Sequence, residues 1–339
     1  MRAYVLNGPG DGSVDEVPPP VAARGEVVID VARVGVCGTD VEFFTGEMAY
    51  LADGHTHYPI RLGHEWCGTV RSVGDDVDPA WIGRRVTGDT MLGCGTCRRC
   101  RRGHQHVCER RMELGVRDGY AGALAEQLVF PVGALHHLPD SVDDTIGALV
   151  EPAGNSLRAA RATAVGHDDR ALVFGPGTIG LLVAMFLRTT GAEVHLVGVT
   201  DESLTFARSL GFEHCSTESE IPDLPFDAVV DASNSAHVPA LALDLVEPGG
   251  RVVYIGLAGA PSRIDTRTVA LKDVTAVGIL SASPALADTI RLFADGAVDP
   301  RPLVAATLPL TGVSDVLDGR RPRDAGPGPK IHIDPSMGT

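Results

Sequence analysis

The chain has no apolar run long enough to span a membrane, and its opening, Met1-Arg2-Ala3-Tyr4-Val5, reads as the start of a strand rather than a secretory leader. It is short of positive charge: 29 Lys and Arg against 44 Asp and Glu leave a formal net charge of −15. Nucleic acid and anionic membranes find little to attract them in that balance, so neither is expected as a partner. Cysteines are few, seven in 339 residues, and three of them (Cys37, Cys67 and Cys215) stand apart. An odd, scattered set argues against a disulfide scaffold and for a reducing, cytoplasmic setting. No internal repeat is visible. What is plentiful is hydrophobic content, 44% of the chain, enough for a large core divided between two domains.

The other four cysteines, Cys94, Cys97, Cys100 and Cys108, lie within fifteen residues as C-G-T-C-R-R-C-R-R-G-H-Q-H-V-C. This spacing brings four thiolates within reach of one tetrahedral centre, the sulfur set that zinc prefers. Two local disulfides are the alternative, but a bridge between cysteines three apart is strained. Four thiolates leave no open position, so this zinc would hold a lobe together without reacting. Arg98, Arg99, Arg101, Arg102, Arg110 and Arg111 crowd the segment, and are expected to offset a cluster charge of about −2.

Two textures meet near Glu151. Before it, short β-rich runs at 27–34, 66–73, 85–86 and 125–130 are punctuated by Gly and Pro. After it, predicted strands at 170–174, 194–198, 228–231, 251–256 and 274–278 alternate with predicted helices at 178–190, 202–210, 237–245 and 285–295. That alternation is the signature of a parallel α/β sheet. The tail from 298 returns to β and loop character, with a strand at 330–334.

The strand Ala171-Leu172-Val173-Phe174 runs into Gly175-Pro176-Gly177-Thr178-Ile179-Gly180 and then an apolar helix. Strand, G-x-G-x-x-G and helix together form a dinucleotide fingerprint, with the pyrophosphate at the helix N-terminus. Gly175, Gly177, Thr178, Ile179 and Gly180 are therefore candidate cofactor residues. An NAD site usually ends its second strand in an acid, but here the strand ends at Gly198, followed by Val199-Thr200-Asp201-Glu202. Gly198 removes the acid that would repel a 2′-phosphate, and Thr200 is a candidate ribose or phosphate contact. No arginine stands beside them, and two acids do. NAD is the expected cofactor, with NADP close behind it.

Cys37 closes the apolar run that begins near Val27, in V-G-V-C-G-T-D. Gly63-His64-Glu65 precedes another apolar strand, and Glu151-Pro152 sits where the textures meet. Cysteine, histidine and carboxylate make a catalytic zinc set with a position left for water or substrate. Taken singly, Cys37 is as well explained as a small buried hydrophobe, and His64 as a satisfied core histidine.

In combination the motifs read differently. Cys37-Gly38-Thr39-Asp40, Gly63-His64-Glu65, the four-cysteine loop, Glu151-Pro152, Gly175 to Gly180 and Leu210-Gly211 stand in the order found in zinc-dependent medium-chain alcohol and polyol dehydrogenases. The chain resembles that family over essentially its whole length, and Glu151 gives it the look of the sorbitol, glucose and cyclitol dehydrogenase-like branch. The resemblance implies an α/β fold of two parts. One is a GroES-like β-barrel catalytic domain over 1–152 and 295–339; the other is a Rossmann-type doubly wound parallel-sheet cofactor domain over 153–294.

The resemblance also implies roles. Cys37 and His64 become ligands of a catalytic zinc, with Glu65 either a ligand or just behind it. Glu151 stands where many members have a second cysteine, and either ligates zinc or holds its water. Cys94, Cys97, Cys100 and Cys108 become the structural zinc ligands. Thr39 matches the hydroxyl that hands the substrate proton toward solvent. Glu42 stands where many members have histidine, and either carries that proton on or is an exposed surface charge. The implied activity is reversible hydride transfer between a secondary alcohol or ketone and a nicotinamide cofactor, in a homodimer or homotetramer. Glu151, Arg117, Asp118 and Asn155 favour a polyol, sugar or cyclitol. Phe43 and Phe44 speak for the alternative, an NADP-dependent enzyme for a larger apolar alcohol or ketone. A non-catalytic nucleotide-binding protein on the same scaffold is a remote third reading.

Overall fold

Val27-Val28-Ile29 has the β-branched character of a strand covered on both faces, and it lies inside a sheet. The computed structural model describes residues 1–338 and separates them into two units. The first holds Met1–Glu151, Leu286–Asp295 and the C-terminal segment from Asp299; the second holds Pro152–Ala285 with Gly296–Val298. The helix Leu286–Ala294 thus groups with the first unit, not with the parallel sheet.

In the first unit, the strand Glu26–Gly35 runs antiparallel to Glu65–Val73 within a seven-stranded sheet. On its other side, Gln127–Pro131 pairs with its beginning and Lys330–Ile333 with its last two residues. The register sets Gly35 opposite both Glu65 and His332. Trp66 and Phe130 are buried in the core and meet edge to face at 5.2 Å. Such a pair contributes about 0.5–1.5 kcal/mol beyond its buried area.

The second unit carries six parallel strands: Arg170–Phe174, Glu193–Val197, His214–Ser216, Phe226–Asp231, Val246–Tyr254 and Thr275–Gly278. Across the sheet they lie in the order third, second, first, fourth, fifth, sixth. This is the doubly wound arrangement, with its reversal between the first and fourth strands. Helices Thr178–Arg188, Asp201–Ser209 and Val238–Leu245 match the expected ones to within a few residues. The third strand was not anticipated, because His214-Cys215-Ser216 presents no apolar run. Among the described residues no helix is long and apolar enough to cross a membrane.

Gly180 shows why the first turn needs its glycines. A Cβ there would sit 2.0 Å from the carbonyl oxygen of Gly175, so the helix could not pack so close to the strand end. Gly180→Ala is expected to destabilise the protein by about 1–3 kcal/mol through forced backbone displacement. A urea midpoint equal to that of the wild type would show that the turn yields without cost.

Candidate active site

The strand Glu26–Gly35 delivers Cys37 to the N-terminus of the helix Gly38–Thr45, and Glu65 opens the neighbouring strand. Strand pairing therefore converges the two motifs: one ligand atom each from Cys37, His64 and Glu65 lies within 4.8 Å of the others. Behind them sits Asp40, fully buried. Its carboxylate accepts from the Cys37 N–H at 2.9 Å and the Gly63 N–H at 3.3 Å, which fastens both ligand loops to one anion. The other face of that carboxylate lies 3.7 Å from His64 Nδ1. Glu65 is turned the opposite way. Lys330 Nζ donates to both of its oxygens, at 2.9 and 2.6 Å, and to the Val36 carbonyl at 2.9 Å.

Burial opposes a positive charge on His64, yet Asp40, Cys37 and Glu151 outweigh it and raise the imidazole pKa well above its ordinary value. Burial likewise pushes the Asp40 carboxyl up, against the pull of His64 and the Cys37 N–H. Negative charge confined in a buried space favours a cation there. Thiol, imidazole and carboxylate are zinc donors, and three protein ligands leave a position open.

Glu151 is buried in the first turn of the helix Val150–Thr163, and its charge reaches His64, although it is outside the 4.8 Å set. Thr39 is half-buried in the first turn of Gly38–Thr45, and Glu42 is exposed three residues on. Partial burial, then the nearby Glu47, raises the Glu42 carboxyl pKa. Phe43 and Phe44 on the same helix are both buried and belong to the hydrophobic core of this unit.

The four cysteines of the loop converge as well. All four Sγ atoms lie within 4.8 Å of one another, with Cys94 and Cys100 at 4.0 Å and Cys97 and Cys108 at 3.8 Å. None is in a disulfide. The Cys100 N–H points at Cys97 Sγ at 3.4 Å, and the Thr96 hydroxyl and backbone lower the Cys94 thiol pKa to about 5. Thiolate character is what a metal requires. Of the six arginines expected to offset this charge, Arg110 lies close enough for Cys94 to raise its pKa and donates to the Thr96 hydroxyl at 3.3 Å. Arg99 instead pairs with Glu109, and Arg111 with Glu113 and the Tyr50 hydroxyl.

In the second unit, Gly177 caps the helix Thr178–Arg188, and no atom lies within 4 Å of where its Cβ would be. That open approach is where a pyrophosphate would meet the helix N-terminus. Thr178 and Ile179 are half-buried in the first turn, with the Ile179 carbonyl accepting from Ser156 Oγ at 3.2 Å. Gly198 has a packing reason of its own. A Cβ there would meet the Pro176 ring at 2.8 Å and the Leu204 side chain at 2.9 Å, so any larger residue would have to displace these neighbours. Thr200 is already engaged as the N-cap of Asp201–Ser209, accepting from the Ser203 N–H at 3.2 Å and donating to its Oγ at 3.0 Å. Asp201 and Glu202 form an acidic first turn that suits the helix dipole. Arg208, the nearest base, donates to the Cys215 carbonyl at 2.8 Å.

Residues 23–140 match the alcohol dehydrogenase GroES-like domain, and residues 178–295 match the zinc-binding dehydrogenase domain. The chain is 33% identical to L-threonine 3-dehydrogenase of Saccharopolyspora erythraea, over 82% of this chain and 83% of that protein. It belongs to the zinc-dependent medium-chain alcohol dehydrogenase superfamily. Sorbitol dehydrogenase of Halalkalibacterium halodurans is 30% identical over 84% of this chain and 85% of that one. A zinc-binding dehydrogenase structure from Sinorhizobium meliloti 1021, bound to NADP, is 25% identical with a TM-score of 0.88, covering 98% of this chain and 99% of the other. This dehydrogenase is accordingly an NAD(P)-binding oxidoreductase with a GroES-like and a Rossmann-like domain and two separate sets of zinc ligands.

Two residues of the dehydrogenase's metal surroundings escaped the sequence reading. Asp40 had a readable signal, an acid three residues after Cys37 at a helix start. Lys330, one of only two lysines in the chain, had none, since its partner is 265 residues away. Lys330→Met would leave the Glu65 carboxylate buried without its cation. The expected loss is about 3–5 kcal/mol of stability, read from the denaturant midpoint. A loss under about 1 kcal/mol would mean that Glu65 finds another partner or solvent.

Proposed function

We propose that the enzyme interconverts a secondary alcohol and its ketone, that the alcohol carries further hydroxyl groups (a polyol, sugar or cyclitol), and that NAD takes the hydride. The observation that carries this reading is the buried Glu151, an acceptor for a second substrate hydroxyl beside the Cys37 and His64 pair. Phe43 and Phe44 are packed into the hydrophobic core, which weighs toward the polar substrate rather than a large apolar alcohol. The relatives named L-threonine 3-dehydrogenase favour a second reading, a 3-hydroxy amino acid, which is also a secondary alcohol with polar neighbours.

Cys37 and His64 would hold the catalytic zinc, with the Asp40 carboxylate 3.7 Å from His64 Nδ1 adding negative charge behind the site. Glu65, held by Lys330, lies within the ligand set, and Glu151 is the second carboxylate near His64; one of the two would complete the site and the other stand behind it or hold its water. Bound zinc supplies Lewis-acid polarisation of the substrate oxygen, and the nicotinamide supplies the hydride acceptor. Thr39 would accept the substrate hydroxyl proton as it hands its own onward. Glu42, on the same helix face and exposed, passes it to water.

The cofactor reading rests on charge. A 2′-phosphate needs a compensating base, and residues 199–203 offer none, while Arg208 is held at Cys215. Thr200, although it caps its helix, keeps one acceptor lone pair, so the ribose would bind through Thr200 or backbone groups near Gly198. The seven free cysteines support a reducing, cytoplasmic setting. A panel of polyols, cyclitols, L-threonine and simple alcohols, assayed with each cofactor on zinc-loaded enzyme, tests the reading. We expect a polyol or cyclitol to lead the panel, with kcat/KM at least tenfold higher for NAD, about 1.4 kcal/mol in the transition state. Glu151→Gln should slow turnover about 10–100-fold with little change in NAD binding. An NADP preference, or a Glu151 variant as fast as the wild type, would reject the corresponding part.

We also propose a homodimer or homotetramer paired through the edge of the parallel sheet. Thr275–Gly278 is an edge strand, and Leu271 and Leu280 beside it are exposed, an unprotected edge for a monomer. Light scattering is expected to return two or four times the 35.5 kDa chain mass. A single chain mass at working concentration rejects the pairing.

A further inference from the structure

We propose a third metal site, in the parallel-sheet unit, where Glu193, His195 and His214 together hold a divalent transition-metal ion such as zinc. Glu193 and His195 stand two apart on one strand and so share a face of the sheet. His214 is the direct partner of His195 on the adjacent parallel strand. One ligand atom from each of the three lies within 4.8 Å of the others. Two imidazole nitrogens and one carboxylate oxygen suit zinc, nickel or copper better than magnesium or calcium, and leave room for water to complete the shell.

The donors are partly prepared for this use. The His195 ring is buried, stacks on His214 at 4.4 Å and meets Phe226 edge-on at 5.3 Å, so its direction is set by packing. His214 is exposed, and its ring can turn to bring a nitrogen out of the stack. Glu193 has a competing tie: its Oε1 accepts from Arg170 Nε and faces His195 Nε2, each at 2.6 Å. Arg170 orients the carboxylate through Oε1, and a bound metal would take one of the carboxylate oxygens. The ion would replace the hydrogen bond between His195 and Glu193.

This site is separate from the dinucleotide fingerprint. Glu193 opens its strand, whereas Gly198 follows the other end of it, about 16 Å further along. His214–Ser216 is the opposite edge strand of the sheet and only three residues long. A metal bridging it to its neighbour would fasten the sheet's weakest edge, so the expected consequence is stability rather than turnover.

The test is zinc binding by wild type, His214→Ala and Glu193→Gln, measured by competition with a chromophoric chelator. Wild type is expected to take up one zinc per chain more than His214→Ala, and Glu193→Gln to bind that extra ion at least tenfold more weakly. Adding the extra equivalent should raise the wild-type Tm by about 2–4 °C and leave that of His214→Ala unmoved. Equal uptake by wild type and His214→Ala overturns the proposal. A missing catalytic or structural zinc would lower all three proteins alike and leave this difference intact. Unchanged far-ultraviolet circular dichroism in both variants shows that a lost ion is not a lost fold.

Discussion

Lys330 reaches across 265 residues of sequence to hold Glu65, and almost all of both side chains is removed from water. A buried ion pair of this kind is poor evidence of net stability, because desolvating two charges opposes their attraction. Its effect is to specify geometry. The C-terminal strand must pair with Glu26–Gly35 for the ammonium group to arrive, and that strand in turn positions Cys37. A chain in which the C-terminal strand failed to pair would leave Glu65 charged and alone beside the metal ligands, an expensive state that helps to exclude the misassembled sheet.

Asp40 makes a second constraint of the same type at the other side of the ligands. One carboxylate accepts from the loops that carry Cys37 and His64, so the spacing of the two donors is held by a shared anion rather than by either loop alone. The two zinc-ligand sets are built differently for a physical reason. The four-cysteine set lies on a turn-rich, largely exposed loop whose own N–H groups and Thr96 stabilise the Cys94 and Cys97 sulfurs, so it is assembled mainly from local contacts. The Cys37 set is brought together by long-range strand pairing and depends on surrounding charges, which makes the open site the more demanding of the two to form.

Gly198 shows how one observation can have two causes. Its lack of an acid reads in sequence as a vacancy that favours a phosphate, and the close packing of Pro176 and Leu204 gives a second reason for glycine there. The hydroxyl of Thr200, a candidate ribose contact, also serves as the cap of its helix. Local capping competes for the same small polar side chains that a ligand would use, and a linear reading has no way to rank the claims.

The sequence by itself determined the elements with strong local signals. The four-cysteine spacing, the strand-turn-helix around Gly175 to Gly180, and the alternation of apolar strands and helices past Glu151 are short-range patterns, each stabilised within a few residues of itself. Their order along the chain was enough to indicate two domains and two sets of zinc ligands. Tertiary structure alone decided that Lys330 pairs with Glu65, that Phe43 and Phe44 are both core, and that His195 faces His214. These depend on register between strands distant in sequence, and register is set by the packing of the whole sheet, which no local window contains.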